Sequence, residues 1–336
     1  MLFARAPEKD PLGDLDKMGF FSKFFISVLA IIIMSMSAAV SIAAFMPFLG
    51  ALVRLRANYN PKAVGFAGTE NTVGPRLTGL WGTLKRTKRL EGWYGLYKGA
   101  FASFAHVVLI SAFTIIFIGA AGYKNVAERK ASFGLFLLPF VTAAIALPMA
   151  ILENRAIITP YRLPNDLRGS LDILLSNHER ARPLSLYATP GLLPAVFIRG
   201  LLHLLVVRGL HAAILGGQKI GQAAAWRTIL YVLFLAISTL WITPLDVIIT
   251  KLSVQPNLGG EVAVSSAEEI DEATPEGLRF AGTDEDVIGL RPTTEAYTSL
   301  VDAAHKINDE EGWQTFYRGW WWTALAAVVP FLATGH

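Results

Sequence analysis

Glu91-Gly92-Trp93-Tyr94-Gly95-Leu96-Tyr97-Lys98-Gly99 stands before one long apolar segment, and Glu311-Gly312-Trp313-Gln314-Thr315-Phe316-Tyr317-Arg318-Gly319 stands before another with identical spacing. Upstream, Phe66-Ala67-Gly68-Thr69-Glu70 is echoed by Phe280-Ala281-Gly282-Thr283-Asp284. Two echoes in the same order mark an internal repeat, which constrains the fold more than any single motif does. The middle third matches more weakly, keeping Tyr187 and then Pro190-Gly191-Leu192-Leu193-Pro194.

The segments that these motifs introduce are apolar over membrane lengths. Segment 24–53 runs without a charged side chain for longer than the roughly 20 residues that a helix needs to cross hydrocarbon. Five more follow at 99–123, 131–152, 190–207, 228–245 and 319–334. The fourth and sixth are short or interrupted by Arg199, so they fit a bilayer only by tilting, snorkelling or burial against neighbours. Trp320, Trp321 and Trp322 stand where the last segment leaves water, as interfacial aromatics do. Composition agrees: 53% of the residues are hydrophobic and 17% charged, with a mean hydropathy of +0.45. The expected fold class is an all-α membrane protein with six transmembrane helices in three pseudo-repeats.

Long links follow the first, third and fifth spans, and short ones the second and fourth. With an even number of spans all three long links share one side. Each carries a stretch suited to a surface helix, at 77–90, 167–180 and 294–309. The expected organisation is an N-terminal segment 1–22, repeats at 23–125, 126–218 and 219–336, and an acidic loop insertion at 256–292 in the third. Pro47, Pro148 and Pro244, separated by 101 and 96 residues, end the odd spans, where each removes a backbone hydrogen bond and favours a kink.

This pattern resembles the mitochondrial carrier family: three repeats of roughly 100 residues, a proline-centred signature ending each odd helix, and an acid-Gly to aromatic-basic-Gly motif before the even ones. The resemblance covers the chain from Phe24 onward. It implies a monomeric bundle, without a cofactor, that moves a small solute across a mitochondrial membrane by alternating access. The family signature places an acid two residues after the proline, a base at five and a second base at seven. Pro244, Asp246 and Lys251 are nearest to it.

The departures matter as much. The acid positions hold Leu49, Ala150 and Asp246, and the first-base positions hold Leu52, Glu153 and Ile249. No opposite-charge pair exists among these six, so the ring of ion pairs that closes one side of family members cannot form. Asp246 and Glu153 must find other partners or face water, because a buried charge without one is strongly unfavourable. Arg54, Arg155 and Lys251 fill the second-base position in every repeat. Helix C-terminal carbonyls, lipid phosphates or those two acids are the partners open to them.

Ionisable groups at membrane depth default to functional hypotheses. Counting seven or eight residues from Gly99, Gly191 and Gly319, where the family contacts substrate, reaches His106, then Ile198 and Arg199, then Ala326 and Ala327. His203 lies one turn beyond Arg199. An arginine suits a carboxylate or phosphate, making a small anion the expected solute; the bland reading is a snorkelling Arg199 and histidines satisfied inside a packed bundle. Lys85, Arg86, Lys88 and Arg89 beside Leu84 and Leu90 suit a helix seated on anionic headgroups, and the resemblance adds cardiolipin as the lipid, with Gly92, Gly99, Gly312 and Gly319 as motif glycines. The acidic stretch from Glu261 to Asp286 reads as a solvated loop.

Other classes have little support. No phosphate loop, His-Glu-x-x-His helix or Gly-x-Ser-x-Gly elbow occurs, and the six histidines have no metal spacing. Cysteine is absent, which excludes disulfides and thiolate chemistry. The first twenty residues mix acids and bases unlike a signal or transit peptide. A net charge of +4 gives no reason to expect nucleic acid. The expectation is transport in the inner mitochondrial membrane. The competing one is a carrier-fold scaffold or adaptor of the outer membrane that no longer transports, engaged in fusion or protein handling.

Overall fold

The computed structural model describes residues 19–62, 75, 77, 79–121, 133–216, 218, 223–259, 279–282 and 286–334, with backbone alone at 118–121, 133–136, 207–208 and 330–334. Residues 66–70 and 283–284 of the upstream echo, and most of the acidic insertion, lie outside the described residues.

The described secondary structure is helical. In chain order the α-helices are α1 (Phe20–Ala57), α2 (Leu80–Tyr97), α3 (Ala100–Ala121), α4 (Phe133–Ile158), α5 (Leu167–Leu174), α6 (Asn177–Ala181), α7 (Leu192–Leu204), α8 (His211–Leu215), α9 (Ala225–Val254), α10 (Leu300–Lys306) and α11 (Trp320–Thr334). One bridge, between Tyr161 and Phe280, joins the second link to the third.

Among the described residues, four helical runs are long and apolar enough to cross a membrane: Phe20–Ala57, Leu80–Phe117, Leu137–Ile158 and Ala225–Val254. Most of the apolar surface of the first three faces outward, as lipid contact requires and water forbids. The protein is thus an all-helical, membrane-embedded chain. At about 1.5 Å per residue, the 38 residues of α1 reach well past the roughly 30 Å of hydrocarbon. The fourth and sixth expected spans are helical but short. Helix α7 has 13 residues and continues through a π-helical stretch, Leu205–Leu210, into α8; α11 has 15. Pro47, Pro148 and Pro244 each lie inside a helix, in α1, α4 and α9, and α4 contains Pro139 as well.

Helix α1 packs on α2 and α3, α3 on α4, α4 on α7, α7 on α9 and α9 on α11. Two apolar clusters hold the ends where the long links gather. One joins Leu147 and Ile151 of α4, Leu192 and Ala195 of α7, Ile248 and Leu252 of α9 and Ala303 of α10. The other joins Leu52 and Leu55 of α1, Leu80 and Leu90 of α2, and Val287 and Ile288. Just beyond the acidic stretch the chain is docked, although the Asp286 side chain is exposed: Arg86 donates to the carbonyls of Asp286 and Val287, and the Tyr59 amide to Gly289.

The link helices follow from local sequence. Leu80, Thr83, Thr87 and Leu90 recur at helical spacing and are buried, while Trp81, Lys85, Lys88 and Arg89 are exposed on the other face of α2. Gly92, at φ 68°, turns that helix. Asp166 caps α5 through the Gly169 amide, and Ser176 with Glu179 forms a capping box on α6. Ser299 caps α10.

Candidate functional site

The second-base residues lie near the C-terminal ends of α1, α4 and α9, and each is buried against a glutamate in the following link. Arg54 Nη2 meets Glu91 Oε2 at 2.8 Å. Arg155 holds Glu179 with both terminal nitrogens, at 2.6 and 2.8 Å. Lys251 Nζ meets Glu311 Oε1 at 2.7 Å. Carbonyls complete the sets: Gly95 for Arg54; Leu174, Ser253 and Gln255 for Arg155; and Asn58 for Lys251. Lys98 joins Glu91, and Arg318 joins Glu311, so the first and last residues of each quoted acid-to-base motif close on one another. The same bracket recurs three times, tying α1, α4 and α9 each to the link that follows it.

A left-handed glycine opens the helix after each bracket: Gly99 at φ 85°, Gly191 at 74° and Gly319 at 71°. An L side chain is strained there, and space is also lacking. A Cβ on Gly191 would lie 2.3 Å from the backbone nitrogen of Leu300, and one on Gly319 2.3 Å from Leu52 Cδ1. The lipid-site candidates Gly92 and Gly312 are left-handed as well, with φ of 68° and 93°. Lys85 is exposed over the Trp81 ring at 5.8 Å.

The two acids left over by the family pattern are both paired inside the bundle. Glu153 of α4 meets His106 Nδ1 at 2.8 Å and accepts from Ser103 Oγ at 2.7 Å, linking α4 to α3. Asp246 of α9 accepts from Arg199 Nε of α7 through Oδ1. Its Oδ2 lies 3.5 Å from Arg56 Nη2 of α1 and 3.3 Å from Thr323 Oγ1 of α11. Arg56 Nη2 also donates to Thr323 Oγ1 at 2.7 Å. Four helices thus converge on one carboxylate.

Two guanidiniums against one carboxylate leave these three side chains one charge positive. Arg199 spends Nε on Asp246, and its side chain is 41% exposed against 11% for Asp246 and 10% for Arg56. Arg199 is therefore the exposed member of the cluster. His106 and Glu153 are partly exposed. His203 stands one turn beyond Arg199 on α7, exposed, and no hydrogen bond among the described residues joins it to the cluster.

Between α1, α3 and Trp322 of α11 lies an open groove of about 570 Å³. Met34, Ile42, Phe45, Leu49 and Val107 make its wall apolar. Of its serines, Ser41 turns its Oγ back onto the Ser37 carbonyl.

Sequence reasoning brought His106, Arg199, Glu153 and Asp246 forward one at a time, and the structure joins them in two pairs. It missed Arg56, which sits nine residues after Pro47 and supplies the second cation on Asp246. It also missed Glu91, Glu179 and Glu311 as bracket partners, although two of them open the quoted motifs. No family model and no curated protein matches the chain.

Proposed function

We propose that this chain is a divergent mitochondrial carrier, with six spans in three pseudo-repeats, that moves a small anionic solute through the bundle. The observation that carries the reading is the cluster of Arg56 and Arg199 on Asp246: one net positive charge shared by helices α1, α7 and α9, exposed on the Arg199 side. The threefold recurrence of bracket and left-handed glycine supports the repeat, and the helical runs 192–215 and 320–334 stand where the fourth and sixth spans are expected.

The geometry couples binding to motion. Arg199 and Asp246 cross-link α7 to α9, so an anion that takes Arg199 weakens that link and favours whichever state separates the two helices. The closing contacts are not the family ring. Asp246 in the third repeat reaches the first repeat through Arg56, and Glu153 turns to His106. A second reading, a carrier-fold scaffold, is favoured by the fact that His106 and Arg199 each already own a carboxylate partner.

A thermal-shift screen of the detergent-solubilised protein against carboxylates, nucleotides, amino acids and phosphate separates the two. A ligand at 100 times its dissociation constant stabilises by about 2.7 kcal/mol. Transport requires at least one such shift in the wild type and its loss in Arg199→Ala. Silence across the screen, in a protein that melts cooperatively, favours the scaffold.

A further inference from the structure

Eleven residues after Pro47, Pro148 and Pro244 stand Asn58, Thr159 and Gln255, each the first residue beyond α1, α4 or α9. Thr159 and Gln255 precede Pro160 and Pro256, which disfavour the helical conformation for the residue before them. Asn58 and Gln255 leave their helices at ψ 124° and 125°, so their carbonyls no longer point along the helix axis. All three carbonyls accept from a bracket other than the one their own helix carries. Lys98 Nζ donates to Thr159, and Arg155 Nη2 to Gln255 at 2.8 Å. Lys251 Nζ donates to Asn58 at 3.0 Å, joined there by Arg318 Nη1. Asn58, Lys98, Arg155, Thr159 and Lys251 are all buried. At two of the three seams the amide two residues further on donates to the glutamate of the same bracket, Asn60 to Glu311 at 3.2 Å and Asn257 to Glu179 at 2.8 Å.

We infer that these ties form a closed cycle that locks the ends of α1, α4 and α9 together: the bracket of α1 holds the end of α4, that of α4 the end of α9, and that of α9 the end of α1. A helix end that tilts outward separates a buried carbonyl from a buried cation and so gives up a charge-assisted hydrogen bond. Each bracket grips one neighbouring helix end while its own helix end is gripped by another, so the loss of one tie frees the next. The three ends are held while the cycle is complete and part together once it is broken. Neither Arg199, Asp246 nor His106 takes part in the cycle, so the lock and the anion site of the proposed function can fail separately.

The chain has no cysteine, so introduced cysteines carry spin labels without background. Arg89, Leu184 and Val301 are exposed, one in each long link, and none belongs to the cycle. Pulsed electron paramagnetic resonance on the full-length protein in nanodiscs reads the three distances between pairs of Arg89→Cys, Leu184→Cys and Val301→Cys. With the cycle intact each pair should give one narrow distance. Lys98→Met removes the tie to Thr159 and leaves Arg54 on Glu91. It should add a longer distance to all three pairs, and Lys98→Arg should restore the single one. Pro160→Ala keeps every charge and lets α4 run on through Thr159, and it should lengthen the same three distances. If Lys98→Met does not fold, Pro160→Ala decides alone. Lengthening confined to the Arg89–Leu184 pair would make the tie a local contact and overturn the cycle. Unchanged distances in the folded variants would overturn it as well.

Discussion

Replacing Glu179 with alanine is expected to destabilise the protein by about 3–5 kcal/mol, the range for removing one partner from a buried ion pair. The side chain of Glu179 has no exposed surface, and that of Arg155 is 5% exposed. Without Glu179, the Arg155 guanidinium keeps only its carbonyls, and the amides of Ser176 and Asn257 lose their acceptor. Chemical unfolding in detergent, followed by tryptophan fluorescence, measures the change. Arg180→Ala is the control: its pair with Asp172 is exposed and should be worth no more than about 1 kcal/mol.

The same pair sets an acid limit. Burial alone pushes the Glu179 carboxyl up, but Arg155 and the amides of Asn257 and Ser176 outweigh it and hold the carboxyl below its ordinary value of 4.5. A depressed folded-state pKa means that the contribution is complete above the unfolded value and is lost as pH falls through the folded one. The stability gap between wild type and Glu179→Gln should therefore be flat above about pH 5 and narrow on further acidification. A gap that stays constant down to pH 3 would assign the loss to packing instead.

Gly191→Ala is the second large effect. The left-handed backbone alone adds about 1–2 kcal/mol for a residue with a Cβ. The new carbon would also lie 2.3 Å from Leu300 N and 2.6 Å from Ser299 C, backbone atoms that cannot swing aside. Helix α10 must shift away from the start of α7, loosening the cluster that contains Leu192, Ala195 and Ala303. The melting transition should drop or lose cooperativity. Gly82→Ala, in α2 with open space around it, should instead stabilise by about 0.5–1 kcal/mol.

The helices were legible because their signals are local. An uncharged apolar run of membrane length, prolines at near-regular spacing and an amphipathic stretch such as 80–90 depend on neighbours in sequence alone. Partner choice was not. Arg54, Arg155 and Lys251 were visible as a threefold set, but the acids that meet them lie 37, 24 and 60 residues on, across links of different length. Glu179 has no glycine after it to flag it as the counterpart of Glu91 and Glu311. Arg56 stayed hidden because it meets Asp246 only once α1, α9 and α11 have packed. The shortness of α7 is a third case. The apolar run continues past Leu204, and a π-helical stretch of low sequence signal, not a loop, follows it.

Uptake of radiolabelled pyruvate, succinate, dodecanoate and phosphate into proteoliposomes tests the central claim most directly. If Arg199 with Arg56 and Asp246 is the solute site, at least one of these enters faster than into protein-free vesicles. Arg199→Ala then slows it by about tenfold or more, as expected for losing about 1.5–3 kcal/mol of charge-assisted hydrogen bonding. Folded wild-type protein that moves none of them, or an Arg199→Ala protein that moves them equally fast, would contradict a transport role for the cluster.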